Sequence, residues 1–281
     1  MVPKTPKISV VMASYNGGET LARAIESFSA QTYPAKELIV VDGGSSDNTG
    51  EILESCEQWI HHSLSEPDKG ILDAWNKGLE HMTGDWAYFQ GADDFYFHDN
   101  VFADMAQHLV EHEDRSKVVF GIVERVDSHG NFVEWHGKPW DPVRFREFGM
   151  CIPHTGTFHH RSLFEDYGQF DAESPVGTPY EFLLRYLKDH DAVYVPLVVA
   201  SMTVGGESNR PENQLTFVRQ DRIAQRQHGT LALNAMIVPR SVVHAKAYTK
   251  YVLSRTMPDT LFRRTLDAVR KIRGRRRMYD T

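Results

Sequence analysis

The chain has 281 residues, 41% of them hydrophobic, and a net charge of −7, which suits one packed α/β unit and speaks against a nucleic-acid partner on overall balance. The charge is uneven, since residues 259–281 hold eight Lys or Arg against three Asp and carry +5, leaving −12 on the rest. Two cysteines, Cys56 and Cys151, stand in no zinc-type spacing, and no stretch reaches the ~18 apolar residues of a membrane span, so a cytoplasmic protein is expected.

In chain order, "KISVVMASY" is a β-branched run ending at Ser14-Tyr15-Asn16, and Leu21, Ala24, Ile25 and Phe28 follow at helical spacing. A strand therefore leads into an amphipathic helix. "ELIVVDGGSSDNTGEILESC" repeats the scheme, with a strand over Leu38–Val41, Asp47 at the N-cap position, and Ile52, Leu53 and Cys56 on the helix. A third pair runs from a short strand at residues 59–61 through "SEPDKG" into a helix carrying Ile71, Ala74, Trp75 and Leu79. The fourth strand is "WAYF", and Asp93 and Asp94 follow it.

This alternation predicts a mostly parallel sheet covered on both faces, with ligands beyond the carboxyl ends of its strands. Those ends are Tyr15-Asn16, Asp42, Glu66-Pro67-Asp68 and Asp93-Asp94, four polar clusters on one edge. From residue 117 the pattern changes to a hairpin, "KVVFGIVERVDSHGNFVEW", so the sheet is expected to become mixed. A helix over "PYEFLLRYLKDH" with Leu183, Leu184 and Leu187 on one side precedes a strand, "AVYVPLVVASMTV", and the turn "GGESN". Beyond residue 212 the chain reads as helical to its end, with breaks at Pro239 and Pro258.

Asp42 is placed where a dinucleotide-binding fold grips a ribose. The turn Ser14-Tyr15-Asn16-Gly17-Gly18-Glu19 lacks the G-x-G-x-x-G spacing, however, and no GxxxxGK[ST] loop occurs, which argues against a dehydrogenase or P-loop enzyme.

Three ordered segments, "ISVVMASYNGGETLARAIESFSAQTYPAKELIVVDGGSSDNT", "EPDKGILDAWNKG" and "GDWAYFQGADD", resemble the nucleotide-binding half of glycosyltransferase family 2, inverting sugar transferases of the GT-A fold. The likeness spans about residues 7–100 and continues more weakly through "IPHTGTFHHRSLFEDYGQFD" and "YEFLLRYLK". It implies an α/β, Rossmann-like GT-A domain over residues 1–211, with a nucleotide-binding half (7–100), an acceptor half (101–211), and a helical C-terminal extension over 212–281.

The resemblance also implies site residues. Ser14, Tyr15, Asn16 and Asp42 would hold the base and ribose of a nucleotide-diphosphate sugar, most often UDP, while Asp68 and Lys69 face the nucleotide. Asp73 and Asn76 share one side of the next helix, beside the diphosphate and sugar, and Arg210 in "VGGESNRPENQ" is a candidate for the diphosphate. Some of these have plainer readings: Asn16-Gly17-Gly18 as a tight turn, Asp42 as an Asx residue before Gly43-Gly44, and Lys77 as a solvated helix charge.

A family D-x-D motif that binds Mn2+ or Mg2+ aligns on Gly91-Ala92-Asp93, making Asp93 the metal ligand and Asp94 a second or sugar-contacting carboxylate. Its first aspartate is missing. One carboxylate still suffices for Mg2+ when phosphates and water complete the shell. The alternative is that the two aspartates cap a helix starting near Asn100.

Displacement at the anomeric carbon also needs a base for the acceptor hydroxyl. The family carries it in an E-D pair just before a "Y-x-L-L-L-R" helix, where this chain has Thr178 and Pro179. Glu181, Asp171 in "GQFD" and His154 in "IPHTG" are the substitutes, although a first-turn acid such as Glu181 also suits the helix dipole. His159-His160-Arg161 has no second histidine at i+4, so zinc is not expected there.

The tail places Leu261, Phe262, Leu266, Val269 and Ile272 near one helical face amid basic residues. Such a helix suits an anionic membrane surface, which would bring the protein to the inner face of the cell membrane and to a lipid-linked acceptor. A helix packed on the domain, or a homodimer contact, is the alternative. Taken together, the expectation is an inverting, metal-assisted glycosyltransferase moving a sugar from a nucleotide donor to a hydroxyl of a glycan or glycolipid. Bacterial surface polysaccharide or glycolipid assembly is the setting implied by resemblance alone. A nucleotide-sugar-binding protein with little or no turnover is the alternative that Gly91 and Pro179 raise.

Overall fold

A computed structural model of the chain describes residues 5–127, 129–173, 178–204 and 211–230. Strand β1 (Ile8–Ser14) is buried at every position and pairs in parallel with β2 (Lys36–Asp42) on one side and β4 (Trp86–Gly91) on the other. β2 in turn pairs in parallel with β3 (His62–Ser65). Strands covered on both faces read as continuous apolar runs rather than alternating ones, which is why "ISVVMAS" and "ELIVVD" carry so few charges.

The pleat divides each strand between two cores. Ile8, Val10 and Met12 pack with α1 (Leu21–Ser29) and α4 (Val101–His112), while Val11 and Ala13 pack with α3 (Ile71–Leu79) and with residues of α5 (Pro142–Phe148), α6 (Ser162–Tyr167) and α7 (Pro179–Leu187). Register sets Ser14 beside Asp42 and Ala13 beside Gly91, so the first, second and fourth strands end on one edge, as the alternation predicted.

The second half extends the same sheet. Antiparallel β8 (Thr157–His160) lies between β4 and β6 (Val118–Val126); β6 pairs with the hairpin strand β7 (Phe132–His136) and in parallel with β9 (Val193–Thr203), and β9 pairs with the short β5 (Phe95–Tyr96). The expected mixed character is present, and helices α2 (Thr49–Ser55) and α8 (Pro211–Gln227) complete the described elements.

Three local expectations are corrected. The third strand begins at His62, because residues Glu57–Trp59 form a 3-10 turn whose Trp59, with Ile60, packs against the first core. Ile71 is 51% exposed although Ala74, Trp75 and Leu79 of the same helix are buried, since the first turn of α3 projects beyond the sheet edge. Helix α2 begins one residue later than expected, with Asn48 at the cap, yet the Asp47 carboxylate still accepts from the backbone N–H of Thr49 at 3.1 Å. Arg210 and residues 231–281, with Pro239, Pro258 and the basic tail, lie outside the described residues. Among the described residues, no helix is long and apolar enough to cross a membrane.

Candidate active site

The loops after β1 and β2 are clasped together. Asn16, which adopts φ 49°, donates its N–H to Ser45 Oγ at 2.7 Å and accepts from the Ser46 N–H at 3.0 Å. Gly17 N–H donates to Thr49 Oγ1 at 3.0 Å and Gly18 N–H to Asp47 Oδ2 at 2.9 Å. Beneath them Asp42, 2% exposed, accepts from Ser45 N–H at 3.1 Å, from Ser65 Oγ at 2.6 Å and from Ser45 Oγ. Asp42 thus makes the Asx-type turn that was its plainer reading. Ser45 and Thr49 are partners that the sequence did not single out, because serine and threonine in a polar turn carry no periodic signal.

A cleft of about 600 Å3 opens above this clasp, lined by Ala13, Ser14, Tyr15, Gly43, Gly44, Pro67, Asp68, Gly70, Ile71 and Ala74. Tyr15, 69% exposed, and Ile71 are exposed apolar groups among the lining residues, and the N-terminal end of α3 opens into it at Gly70. Asp68 accepts from Gly70 N–H at 2.8 Å and lies over the backbone of Gly43, where a Cβ would stand 2.5 Å from Asp68 Oδ2 and push that carboxylate aside. Ser14, Tyr15 and Asp68 therefore share one cleft, as expected.

Lys69 and Asn76 are engaged elsewhere, contrary to expectation, while Asp73 stays at the start of α3. Lys69 Nζ pairs with Glu173, which raises its pKa, and its N–H donates to Asp73 Oδ2 at 3.1 Å. Asn76 donates from Nδ2 to the Phe170 carbonyl at 2.8 Å and accepts the Phe170 N–H at 3.0 Å. Both side chains reach across to the segment that carries Asp171.

At the end of β4, Asp93 is half-buried and Asp94 is buried. Asp94 Oδ2 accepts from Thr155 Oγ1 at 3.0 Å and from Gly91 N–H at 3.4 Å, while its Oδ1 is buried with no hydrogen-bond partner among the described residues. Burial, followed by the charge of Asp93, pushes the Asp94 carboxyl up to about 7. The first D-x-D position explains itself here: a Cβ on Gly91 would stand 2.8 Å from Asp93 Oδ1, so the glycine leaves room for that carboxylate to fold back over the strand. Neither aspartate caps α4, whose N-cap is Asn100. Crowded carboxylates with an orphaned oxygen fit a hard, oxygen-seeking dication such as Mn2+ or Mg2+.

The three proposed bases separate clearly. Glu181, 7% exposed, is held at 3.0 and 2.6 Å by Arg185 and at 2.9 Å by His228 of the segment following α8. Burial would raise its pKa, but the hydrogen bonds and charges of Arg185 and His228 outweigh it and hold the carboxyl below its usual range. That is the wrong direction for a base and corrects the expectation for Glu181: it docks α8 on α7. Thr178 explains the lost E-D pair, since its hydroxyl accepts from Glu181 N–H at 3.0 Å as the α7 cap and Pro179 fills the first helical position.

His154 stacks on Trp75 at 4.7 Å and on Phe89 at 5.5 Å, and burial, then neighbouring His159, holds its pKa well below the ordinary value. It is a neutral ring in an aromatic stack, a correction to its place among the bases. His159, packed near Phe89 and Phe182, and His160, 3.3 Å from Glu113, are likewise occupied away from the cleft. Asp171 is exposed, and its neighbours are fixed on both sides: Phe170 by Asn76, Gln169 and Tyr167 by Arg185 at 2.8 and 2.9 Å, Glu173 by Lys69.

Comparison with solved structures shows the fold. TarS 1–349 of S. aureus in complex with UDP-GlcNAc superposes with a TM-score of 0.61 at 19% identity, over 78% of this chain and 65% of that one. The mannosyltransferase PcManGT of Pyrobaculum calidifontis, in complex with GDP-Man and Mn2+, matches with a TM-score of 0.56 at 16% identity, over 99% of this chain and 89% of that one. The curled mixed sheet with its flanking helices is the GT-A glycosyltransferase fold.

Residues 9–165 match the family model for glycosyl transferase family 2. A PGL/p-HBAD biosynthesis glycosyltransferase of Mycobacterium tuberculosis is 33% identical over 212 residues, covering 73% of this chain and 80% of that relative, and an uncharacterized glycosyltransferase of the same species is 29% identical over 215 residues, covering 75% and 80%. The chain belongs to glycosyltransferase family 2 and is a glycosyltransferase.

Proposed function

We propose that this glycosyltransferase transfers a sugar with inversion from a nucleotide-diphosphate donor, UDP-linked in the first instance, to a hydroxyl of a glycan or lipid-linked acceptor. The observation that carries the reading is the open cleft at the carboxyl ends of β1, β2 and β3, with the exposed ring of Tyr15 at its rim and paired carboxylates at the end of neighbouring β4. Tyr15 stacks on the base, the clasped Ser14–Asn16 turn and Asp42 shape the ribose pocket, and Asp68 at the start of α3 orients the diphosphate end. Arg210 and Asp73 are carried as further donor-side candidates.

Asp93 holds the divalent cation, Mn2+ or Mg2+, with Asp94 beside it. When bound, the cation neutralises charge on the departing diphosphate. Asp171 takes the acceptor proton, because it is the exposed carboxylate among the three candidates and the segment around it is anchored to α3 and α7. Residues 1–211 form the transferase unit, with the donor half at 7–100 and the acceptor half at 101–211, and the basic tail directs the enzyme to an anionic membrane surface at the cytoplasmic face.

The test is release of nucleotide from a panel of UDP- and GDP-sugars with Mn2+. Metal-dependent release that disappears in Asp93→Ala supports the reading, and metal-independent release or an unaffected Asp93→Ala overturns the metal assignment. A second reading, a nucleotide-sugar binder without turnover, is favoured by the conversion of the usual base position into a Thr178-Pro179 helix cap. It predicts calorimetric donor binding with no release, even with acceptor present.

A further inference from the structure

We propose that one flank of α4 is a separate site for a transition-metal dication of the imidazole-binding class, Zn2+, Ni2+ or Cu2+, held by His108, Glu111 and His112. The inner face of α4 is fixed by burial of residues including Phe102, Met105 and Leu109. Positions 108, 111 and 112, at i, i+3 and i+4, run along one flank of that buried face, with Glu111 exposed and the two histidines half-buried. One ligand atom from each of the three lies within 4.8 Å of the others. Their side chains are 35%, 67% and 20% exposed, so an ion reaches them from water.

The spacing is that of a loose cluster open to a cation, within reach of an ion pair when the rings are protonated. Glu111 Oε2 stands 3.8 Å from His108 Nδ1 and 3.9 Å from His112 Nε2, too far to accept a hydrogen bond from either ring and nearly equidistant from both. Two ligands on one tetrahedral zinc, each about 2.0–2.1 Å from the ion, stand roughly 3.4 Å apart, so Glu111 closes on each ring by about half an ångström and the side chains draw together from within 4.8 Å. The two imidazoles are stacked 6.2 Å apart between centroids and 9° from parallel, so one ring turns about its Cβ–Cγ bond to aim its in-plane nitrogen at a shared ion. Water fills the fourth position.

The donor set separates this site from the end of β4. Two imidazoles and one carboxylate favour zinc, nickel and copper, whereas the all-oxygen Asp93–Asp94 pair favours magnesium and manganese. The sequence carries the signal, a histidine pair at i and i+4 within one helix.

The experiment titrates the full-length protein with Zn2+ by calorimetry and with Co2+ by visible absorption, in parallel with the double variant His108→Ala/His112→Ala and with Asp93→Asn. Alanine favours the helix, and circular dichroism verifies that the double variant keeps the fold. The expected result is a stoichiometric Zn2+ site and a Co2+ d–d band that the double variant weakens at least tenfold and Asp93→Asn leaves unchanged. Titrations identical in wild type and double variant, or a loss that follows Asp93→Asn instead, overturn the site.

Discussion

Asn76 and Phe170, 94 positions apart in the chain, are joined at two points: the Asn76 amide donates to the Phe170 carbonyl at 2.8 Å and accepts its N–H at 3.0 Å. The carboxamide satisfies a backbone donor and a backbone acceptor at once. The pair fixes the chain immediately before Asp171 to α3, the helix whose first turn lines the cleft. Asn76→Ala is expected to lower stability by about 1–3 kcal/mol, the sum of two lost hydrogen bonds, and to reduce kcat more than donor affinity. Urea denaturation and steady-state kinetics check both; unchanged kcat would detach Asp171 from the reaction.

Asp171 and Glu181 are separated by opposite expectations. Asp171→Asn should depress transfer about 10²–10⁴-fold, the usual contribution of a general base, with little effect on stability. Glu181→Gln should do the reverse, because Arg185 loses its bidentate carboxylate and His228 its partner. A stability loss of about 1–3 kcal/mol is expected there, with kcat of the folded fraction close to wild type. A kcat collapse in Glu181→Gln at unchanged stability would restore Glu181 as the base.

A pH effect on stability is expected from Asp221 of α8. Burial pushes its carboxyl up to about 7 against an ordinary 3.8, with the Met150 N–H and Arg222 opposing. A folded pKa above the unfolded one means that the native state binds the extra proton between those values, so this group's contribution is fully present below about pH 4 and lost as pH rises through 7. Asp221→Asn should flatten the decline in unfolding free energy between pH 5 and 7.5 by up to one proton. Denaturant midpoints at several pH values measure it, and an unaltered slope places the titration elsewhere.

Most of the donor half was legible because its long strands and helices announce themselves locally; the third strand, four residues of alternating burial, and the two-residue β5 do not. The runs through Val10, Val40 and Phe89 are apolar on both faces, and Leu21, Ala24, Ile25 and Phe28 are all buried as their spacing implied. The carboxyl-edge convergence of Ser14, Asp42 and Asp93-Asp94 followed from that alternation. The roles of Asn76, Lys69 and Glu181 were not legible, since their partners, Phe170, Glu173 and His228, lie 94, 104 and 47 positions away. Nor does local pattern reveal that antiparallel β8 inserts between β4 and β6, a choice made by tertiary packing of Phe158 with Tyr88.

Tyr15 offers the most direct separation of binding from folding. Its ring is exposed at the cleft rim and is absent from both hydrophobic cores, so truncation removes no core contact. Its backbone stands between Ser14, which ends β1, and Asn16, which clasps the next loop, so the position of the ring is set by its neighbours rather than by its own packing. Stacking on a nucleobase contributes about 0.5–1.5 kcal/mol beyond area burial, so Tyr15→Ala should weaken donor and free nucleotide alike by roughly three- to tenfold, while Tyr15→Phe binds nearly as wild type. Thermal midpoints without ligand should be the same in all three proteins, and the ligand-induced rise should shrink in Tyr15→Ala alone. Equal nucleotide affinity in Tyr15→Ala and wild type, measured by calorimetry, would remove the base from this side of the cleft.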